Sequence, residues 1–437
     1  MRNVNTLSLE DREMVARGLR TTLAPSTPAP VWQLVLGWVL LVPMLYIAGD
    51  GAFIPRTGGV SFAATGGSPG TSASHKITLA LFCLICLLLI AFRSSPVLAL
   101  GRRMKIMLAF PVLAILSCLW SGVPAQSIVS GVVLLIFTVF AIYVGSRLSF
   151  QRQFELIMLV GGIVLPASIA LAIFVPSVGR ESAAWRGILV SKQNCSAVCT
   201  LLLITALHWK CSGIYQKLFR AAYIAMCVVL IVMSQSRTGW GLALVALILT
   251  GSIWLLQRTP TRQALAILLP GFAVAAAAVY VVYIYSSSLL ALVGKDSSLS
   301  ERTVIWAAAW QAALLHPILG YGFAAFWRGL YGPSQNVVLV AGWGLAQAQD
   351  GFLDVWLGIG LVGVALVAAM TIQAMRNAIR CGHLACDLAY VRWGVVMILS
   401  TLLFNVGESS IGLFRMTWFL FLLAAIGLDQ AATAKAR

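Results

Sequence analysis

Three arginines and a lysine stand out for where they lie. Arg237 sits in SQSRTGWG, a tight link between two apolar runs. Arg302 sits in SLSERTVIW, where a polar stretch turns apolar, and Arg186 and Lys192 sit in AAWRGILVSKQN. An arginine in an apolar setting stays charged, and its planar fork binds phosphate bidentately. A helix beginning near Arg302 adds free N–H groups and a partial positive charge. The four residues define a candidate anion site. Plainer roles stand beside it: Arg302 pairs with Glu301 or Asp296, Arg237 snorkels to lipid headgroups, and Arg186 and Lys192 are ordinary loop residues. His316 reads as a helix-terminal histidine.

The elements that must position these residues follow from composition. The chain has 437 residues, 60% of them hydrophobic and 10% charged, whereas soluble domains carry roughly a quarter charged. A bilayer makes such a chain sensible, and each spanning helix needs roughly 20 mainly apolar residues. The expected fold is all-α, with about twelve transmembrane helices at 32–49, 77–92, 106–120, 127–146, 155–175, 195–208, 221–235, 239–256, 264–285, 352–375, 390–406 and 411–428. Residues 1–31, without an apolar core, form an N-terminal tail and no cleavable signal peptide. Residues 32–285 hold nine helices, 286–351 a long loop, 352–428 three more helices and 429–437 a C-terminal tail. Of the 30 Lys and Arg, 20 fall on the side of the N-terminus and 10 on the other. Basic loops stay inside, so both termini are expected in the cytoplasm and the long loop outside.

The stretch SSLSERTVIWAAAWQAALLHPILGYG (297–322) is the test of that topology. If it spanned, the basic C-terminal segments would invert and the bias would weaken. Pro317 lacks an N–H and clashes with the preceding turn, and Gly320 and Gly322 add further breaks. It is expected as a surface helix over 301–315 that rests Val304, Trp306, Trp310 and Leu314 on the bilayer or on other helices, with Ser300 as its N-cap.

The net charge of +17 is scattered through short loops, which argues against nucleic acid as a partner. The nine cysteines lie mostly inside apolar runs and read as small hydrophobes. Cys381, His383 and Cys386 have only loosely metal-like spacing, and no metal site is expected.

GKDSSLSERTVIWAAAWQAALLHPILGYGFAAFW, followed by AQAQDGFLDVWLGIGLVG, resembles the central signature of the O-antigen ligase and exopolysaccharide polymerase superfamily. LSCLWSGVPAQS, WRGILVSKQN and NVGESSIG resemble its exopolysaccharide-production branch, and SQSRTGW resembles the segment that carries a functional arginine. The resemblance covers roughly residues 80–425. It implies a multi-pass enzyme of the bacterial inner membrane with a large periplasmic loop. Such an enzyme takes glycans from undecaprenyl diphosphate, transfers them to a sugar hydroxyl and releases the lipid diphosphate. The implied partners are the lipid-linked oligosaccharide, a glycan acceptor and membrane lipid, with a chain-length regulator as a further candidate. No cofactor, metal or nucleotide is implied. Arginines at Arg237 and Arg302 would neutralise the diphosphate, and a histidine before the tenth span would act as base.

The chain departs from that pattern at the base. Gln347-Ala348-Gln349-Asp350-Gly351 stands where the family has an HAHNG-like stretch, and the family's HKN element is replaced within Ser191–Asn194. A glutamine orients a hydroxyl but does not take its proton. Three outcomes stay open: the site is inactive, Gln349 only positions the acceptor, or Asp350 has taken over as base, which is favoured, with Glu301 as another candidate carboxylate. Asp350 has a plainer role as N-cap of the tenth helix. The expected function is polymerisation or ligation of lipid-linked glycans, with polymerisation favoured. The alternative is a non-catalytic or transport component of the export machinery.

Overall fold

Lipid offers backbone groups no partner, so apolar runs close their own hydrogen bonds as helices. The computed structural model describes residues 31–48, 73–92, 94–258, 298–383 and 388–434, and it is about 78% helical. The chain divides into Met1–Val42 and Pro43–Arg437, and the second unit holds every contact discussed below.

The helices are α1 (Val31–Ala48), α2 (Ala73–Phe92), α3 (Ser94–Arg103), α4 (Lys105–Leu116), α5 (Pro124–Arg147), α6 (Phe150–Phe174), α7 (Pro176–Gly179), α8 (Lys192–His208), α9 (Ile214–Met233) and α10 (Arg237–Arg258). They continue as α11 (Ser298–Leu315), α12 (Gln335–Ala341), α13 (Gly351–His383), α14 (Leu388–Phe404) and α15 (Met416–Ala434). A two-residue hairpin pairs β1 (Arg180–Glu181) with β2 (Ala184–Trp185), Glu181 facing Ala184.

Among the described residues, six helices are long and apolar enough to cross a membrane: α5, α6, α9, α10, α13 and α15. The protein is an all-α, multi-pass membrane protein. Of the other expected spans, 264–285 lies outside the described residues, as do 1–30, 286–297 and 435–437 of the expected tails and loop. The remaining ones fall on shorter helices or shorter apolar stretches. α15 continues to Ala434, past the end expected at 428.

α15 is buried along most of its length, with Trp418, Phe419 and Phe421 fully enclosed. Phe419 packs edge-on against Phe137 of α5, the ring centroids 5.6 Å apart, and Trp418 lies 6.0 Å from Phe110 of α4. Its far end is tied by an ion pair between Asp429 and Arg103.

Residues 298–322 do not form a single continuous helix. α11 ends at Leu315, and the chain then folds back on a break in α13. That break sits at Ile359 and Gly360, where the backbone leaves the helical region. The carbonyls freed there are taken up by the returning chain: Tyr321 N–H donates to Leu357 O and Gly322 N–H to Gly358 O, both at 2.8 Å. In return Leu361 N–H donates to Pro317 O at 2.9 Å. Gly360 has φ +71°, and a Cβ there would lie 1.9 Å from Ile318 O, so only glycine fits this stitch.

α11 buries the Ile305, Ala309 and Ala313 stripe against Phe326, Val337, Leu353 and Trp356. Val304, Trp310 and Leu314 remain exposed, while the Trp306 indole donates to Ala348 O at 3.0 Å. The helix starts at Ser298, so Ser300 lies inside its first turn rather than at the expected cap.

Candidate functional site

The link between α14 and α15, NVGESSIG (Asn405–Gly412), organises the polar centre. Asn405 carries its shape. Its Oδ1 accepts from Ser410 N at 2.7 Å and Ile411 N at 3.0 Å, and its Nδ2 donates to Thr401 O at 2.7 Å. Asn405 O also accepts from Gly351 N at 2.7 Å, which fastens the start of α13 to the link. A Cβ on Gly351 would lie 2.1 Å from Asn405 Oδ1, so this junction needs glycine.

Arg302 reaches the link from α11. Its Nη1 donates to Gly407 O at 2.8 Å and its Nη2 to Glu408 Oε1 at 3.2 Å. Arg237 starts α10 and is exposed, and the next residue, Thr238, sits against Gly407. Of the expected pair, Arg302 meets the link through its guanidinium, and Arg237 comes near it through its neighbour Thr238.

Arg415, at the start of α15, points across the same region. Its Nη1 donates to Asn194 Oδ1 at 3.0 Å and its Nη2 to Gln347 Oε1 at 3.4 Å. Asn194 is fixed at the first turn of α8, where Ser191 Oγ caps its N–H at 3.2 Å. The N–H of Lys192 donates to Glu181 Oε2 at 3.2 Å, which ties the hairpin to the same helix start. Arg186 donates its Nε–H to Val178 O at 2.8 Å.

Glu408 lies between these arginines and is buried, with its side chain 5% exposed. Burial pushes its carboxyl above the usual carboxylate range; Arg302 and Arg415 pull it back down, and Glu181 adds to the rise. The centre thus holds Arg302 and Arg415 against Glu408 and Glu181.

Asp350 precedes α13 and caps it: Oδ1 accepts from Phe352 N and Leu353 N, each at 2.9 Å. Burial raises its carboxyl, and the two N–H groups partly offset that rise. Gln349 beside it holds a left-handed φ of +56°, unusual for a side-chain-bearing residue. The side chain of Glu301 lies outside the described residues.

One turn into α13, Asp354 accepts from Trp327 Nε1 at 2.7 Å and from Ala348 N at 3.0 Å, and Ser409 Oγ donates to its other oxygen. Asp354, Ser409, Gln347 and Trp327 form the polar wall of a cavity of about 400 Å³, otherwise lined by apolar groups such as Phe137, Phe323 and Phe414. Gln347 thus touches both Arg415 and the cavity. A second cavity of about 600 Å³ is lined by Trp120, His316, Tyr321 and Arg328, with the His316 ring edge-on to Tyr321 at 4.5 Å.

Asp354 locks three loops to one helix, so its loss should be felt as stability. Asp354→Ala strands three donors, each worth about 1–3 kcal/mol when buried and unpaired. The expected result is a clearly lower melting midpoint in detergent, with Ser409→Ala giving a smaller drop. Equal midpoints for Asp354→Ala and the wild type would show that this carboxylate holds nothing together.

Among the described residues, no three His, Cys, Asp or Glu gather as metal ligands; Cys386 of the loosely metal-like trio lies outside them. Glu408, Arg415, Asn194 and Asp354 were not singled out as site residues by the sequence reading. The local signal for Glu408 is present in NVGESSIG, whereas Arg415 lies three residues beyond that motif.

A multi-pass membrane protein with a half-buried centre of arginines, carboxylates and amides beside an apolar cavity is the class that these features define. Residues 222–368 match the family described as O-antigen ligase. Through that segment the chain is similar to the O-antigen ligase and polymerase superfamily, whose members act on lipid-linked polysaccharides. No curated protein sequence matches it.

Proposed function

We propose that the protein is an inner-membrane glycosyltransferase that polymerises glycans carried on undecaprenyl diphosphate. The observation that carries this reading is that Arg302 bonds Glu408 while the charge of Arg415 acts on the same carboxylate, next to a cavity lined mainly by apolar side chains. Two guanidinium groups match the oxygens of a diphosphate, and the cavity suits the apolar groups attached to it. Arg302 and Arg415 are the proposed diphosphate ligands, Arg237 is a supporting cation at the edge, and Arg186 and Lys192 lie in the loop before α8 and at its first residue. Gln349 orients the acceptor and Asp350 takes its proton. Glu301 is the second proposed base, on the helix that carries Arg302.

Diphosphate is a good leaving group once its charge is neutralised, so arginine contacts that strengthen as the bond breaks lower the barrier. The acceptor oxygen attacks the anomeric carbon, the carbon–phosphate oxygen bond breaks, its electron pair leaves with the diphosphate, and the hydroxyl proton passes to the base.

The test is purified protein with a lipid-linked oligosaccharide. Consumption of the donor with growth of glycan supports the reading. Movement of donor across a vesicle bilayer without consumption supports the transport reading, which the glutamines at Gln347 and Gln349 favour. The proposed frame has twelve spans, a periplasmic loop at 286–351 and cytoplasmic termini. Cysteines placed at Ser298 and Ala434 report on it: an impermeant thiol reagent added to cells with a permeabilised outer membrane should label the first and spare the second. The reverse pattern would invert the frame.

A further inference from the structure

Arg302 is occupied by a carboxylate of its own chain, although the proposed reaction needs it for a diphosphate. Glu408 Oε1 lies 3.2 Å from Arg302 Nη2, and Gly407 O lies 2.8 Å from Nη1. The Glu408 side chain is 5% exposed and that of Arg302 20%. The backbone that presents Glu408 is held by Asn405 and by Gly351. The link can therefore keep its shape while the carboxylate exchanges partners.

We propose that Glu408 is an internal competitor for the diphosphate: its carboxylate yields Arg302 to the lipid-linked donor and takes it back to expel the lipid diphosphate product. This rests on the reading of Arg302 as a diphosphate ligand. Two unopposed arginines beside an apolar cavity would hold product as firmly as substrate, and product release sets kcat in many enzymes. A built-in carboxylate corrects that by keeping the centre near neutrality. Arg302 and Arg415 face Glu181 and Glu408 there, so an arriving diphosphate trades one anion for another instead of meeting bare charge. Only an ion pair is exchanged, and no covalent bond changes. Glu408 is thus a positioning residue that acts through Arg302.

The simpler role is a buried ion pair that holds the fold, where losing one partner destabilises strongly. The two roles predict opposite effects on anion affinity. The experiment uses the full chain in detergent, with inorganic pyrophosphate as probe and lipid-linked oligosaccharide as substrate. Glu408→Gln should bind pyrophosphate about tenfold more tightly, within the range of ordinary site coupling. Its KM and kcat should both fall, and pyrophosphate should inhibit it more strongly than the wild type. Unchanged or weaker pyrophosphate binding would overturn the proposal, as would a fall in kcat with KM unchanged.

A second measurement needs no variant. Sulfate keeps its charge through the weak-acid range. As pH falls through the raised titration of Glu408, the carboxylate neutralises and Arg302 is freed, so wild-type sulfate binding should strengthen. Where Glu408→Gln folds, it should lack that dependence. Sulfate binding that ignores pH in the wild type would count against the competitor whether or not the variant folds. The underlying reading fails separately: if Arg302→Ala leaves pyrophosphate binding intact, Arg302 is no diphosphate ligand. If Arg302→Ala abolishes binding while Glu408→Gln fails to tighten it, only the competitor is lost.

Discussion

Arg302→Lys should lower turnover of a lipid-linked donor by at least about 10²-fold, the scale seen when one preorganised donor is removed from a transition-state site. Lysine keeps the charge but replaces a planar fork with a single ammonium. Arg302 uses two separate nitrogens, one on Gly407 O and one on Glu408. The same two-pronged geometry is what a diphosphate requires. A lysine can hold the link through one contact, so the variant should elute and melt close to the wild type while losing its rate. Pyrophosphate affinity should fall in parallel. Wild-type turnover in a folded Arg302→Lys protein would remove Arg302 from the chemistry and leave it as a strut for the α14–α15 link. Arg415→Lys is the partner experiment. Its two hydrogen bonds, to Asn194 and Gln347, go to neutral amides, and lysine keeps the charge that acts on Glu408, so this variant reads more cleanly on rate.

The long apolar helices and the end of α11 were legible because both depend on local composition. Apolar length reports a helix in lipid, and Pro317 with two glycines reports where one must stop. The helices α5, α6, α10 and α13 begin within about five residues of the expected ends. What the local pattern did not carry is partnership. Nothing in WLGIGLVG says that α13 breaks at Gly360, because the break is stable only when the chain at 317–322 supplies new partners for its backbone. The candidate site divides in the same way. Arg302 and Asp350 were visible as polar residues at helix starts. Arg415 and Glu408 were not singled out, since a lone arginine at a span end usually reads as a headgroup contact. Arg415 takes its meaning from Asn194, more than two hundred residues earlier, and from Gln347, and Glu408 takes its meaning from Arg302. Asp354 reads as an ordinary first-turn carboxylate, an acidic group favoured by the helix dipole, until the folded chain brings Trp327 and Ser409 against it.

Asp350→Asn is the sharpest test of the chemistry, and turnover is expected to fall by about 10²–10⁴-fold, the usual worth of a general base. Asparagine retains the oxygen that accepts from Phe352 N and Leu353 N, so the cap of α13 survives the change. What it loses is the ability to take a proton. Asp350→Ala is the control for the cap: it should cost about 1 kcal/mol of stability on top of the rate, whereas Asp350→Asn should melt like the wild type. The pH profile supplies an independent readout. A base must be ionised, and burial holds the Asp350 carboxyl above its ordinary range. The wild-type rate should therefore decline with acid sooner than for an exposed aspartate, and the residual rate of Asp350→Asn should lack that limb. Glu408 titrates in the same direction but acts on KM together with kcat, so a variant with reduced kcat and unchanged KM points to Asp350. Gln349→His completes the set by placing a proton acceptor beside the same helix start. A gain in rate would show that this position still faces the acceptor hydroxyl. If Asp350→Asn instead polymerises glycan at the wild-type rate, Asp350 is a cap alone, and the proton must leave through another group such as Glu301.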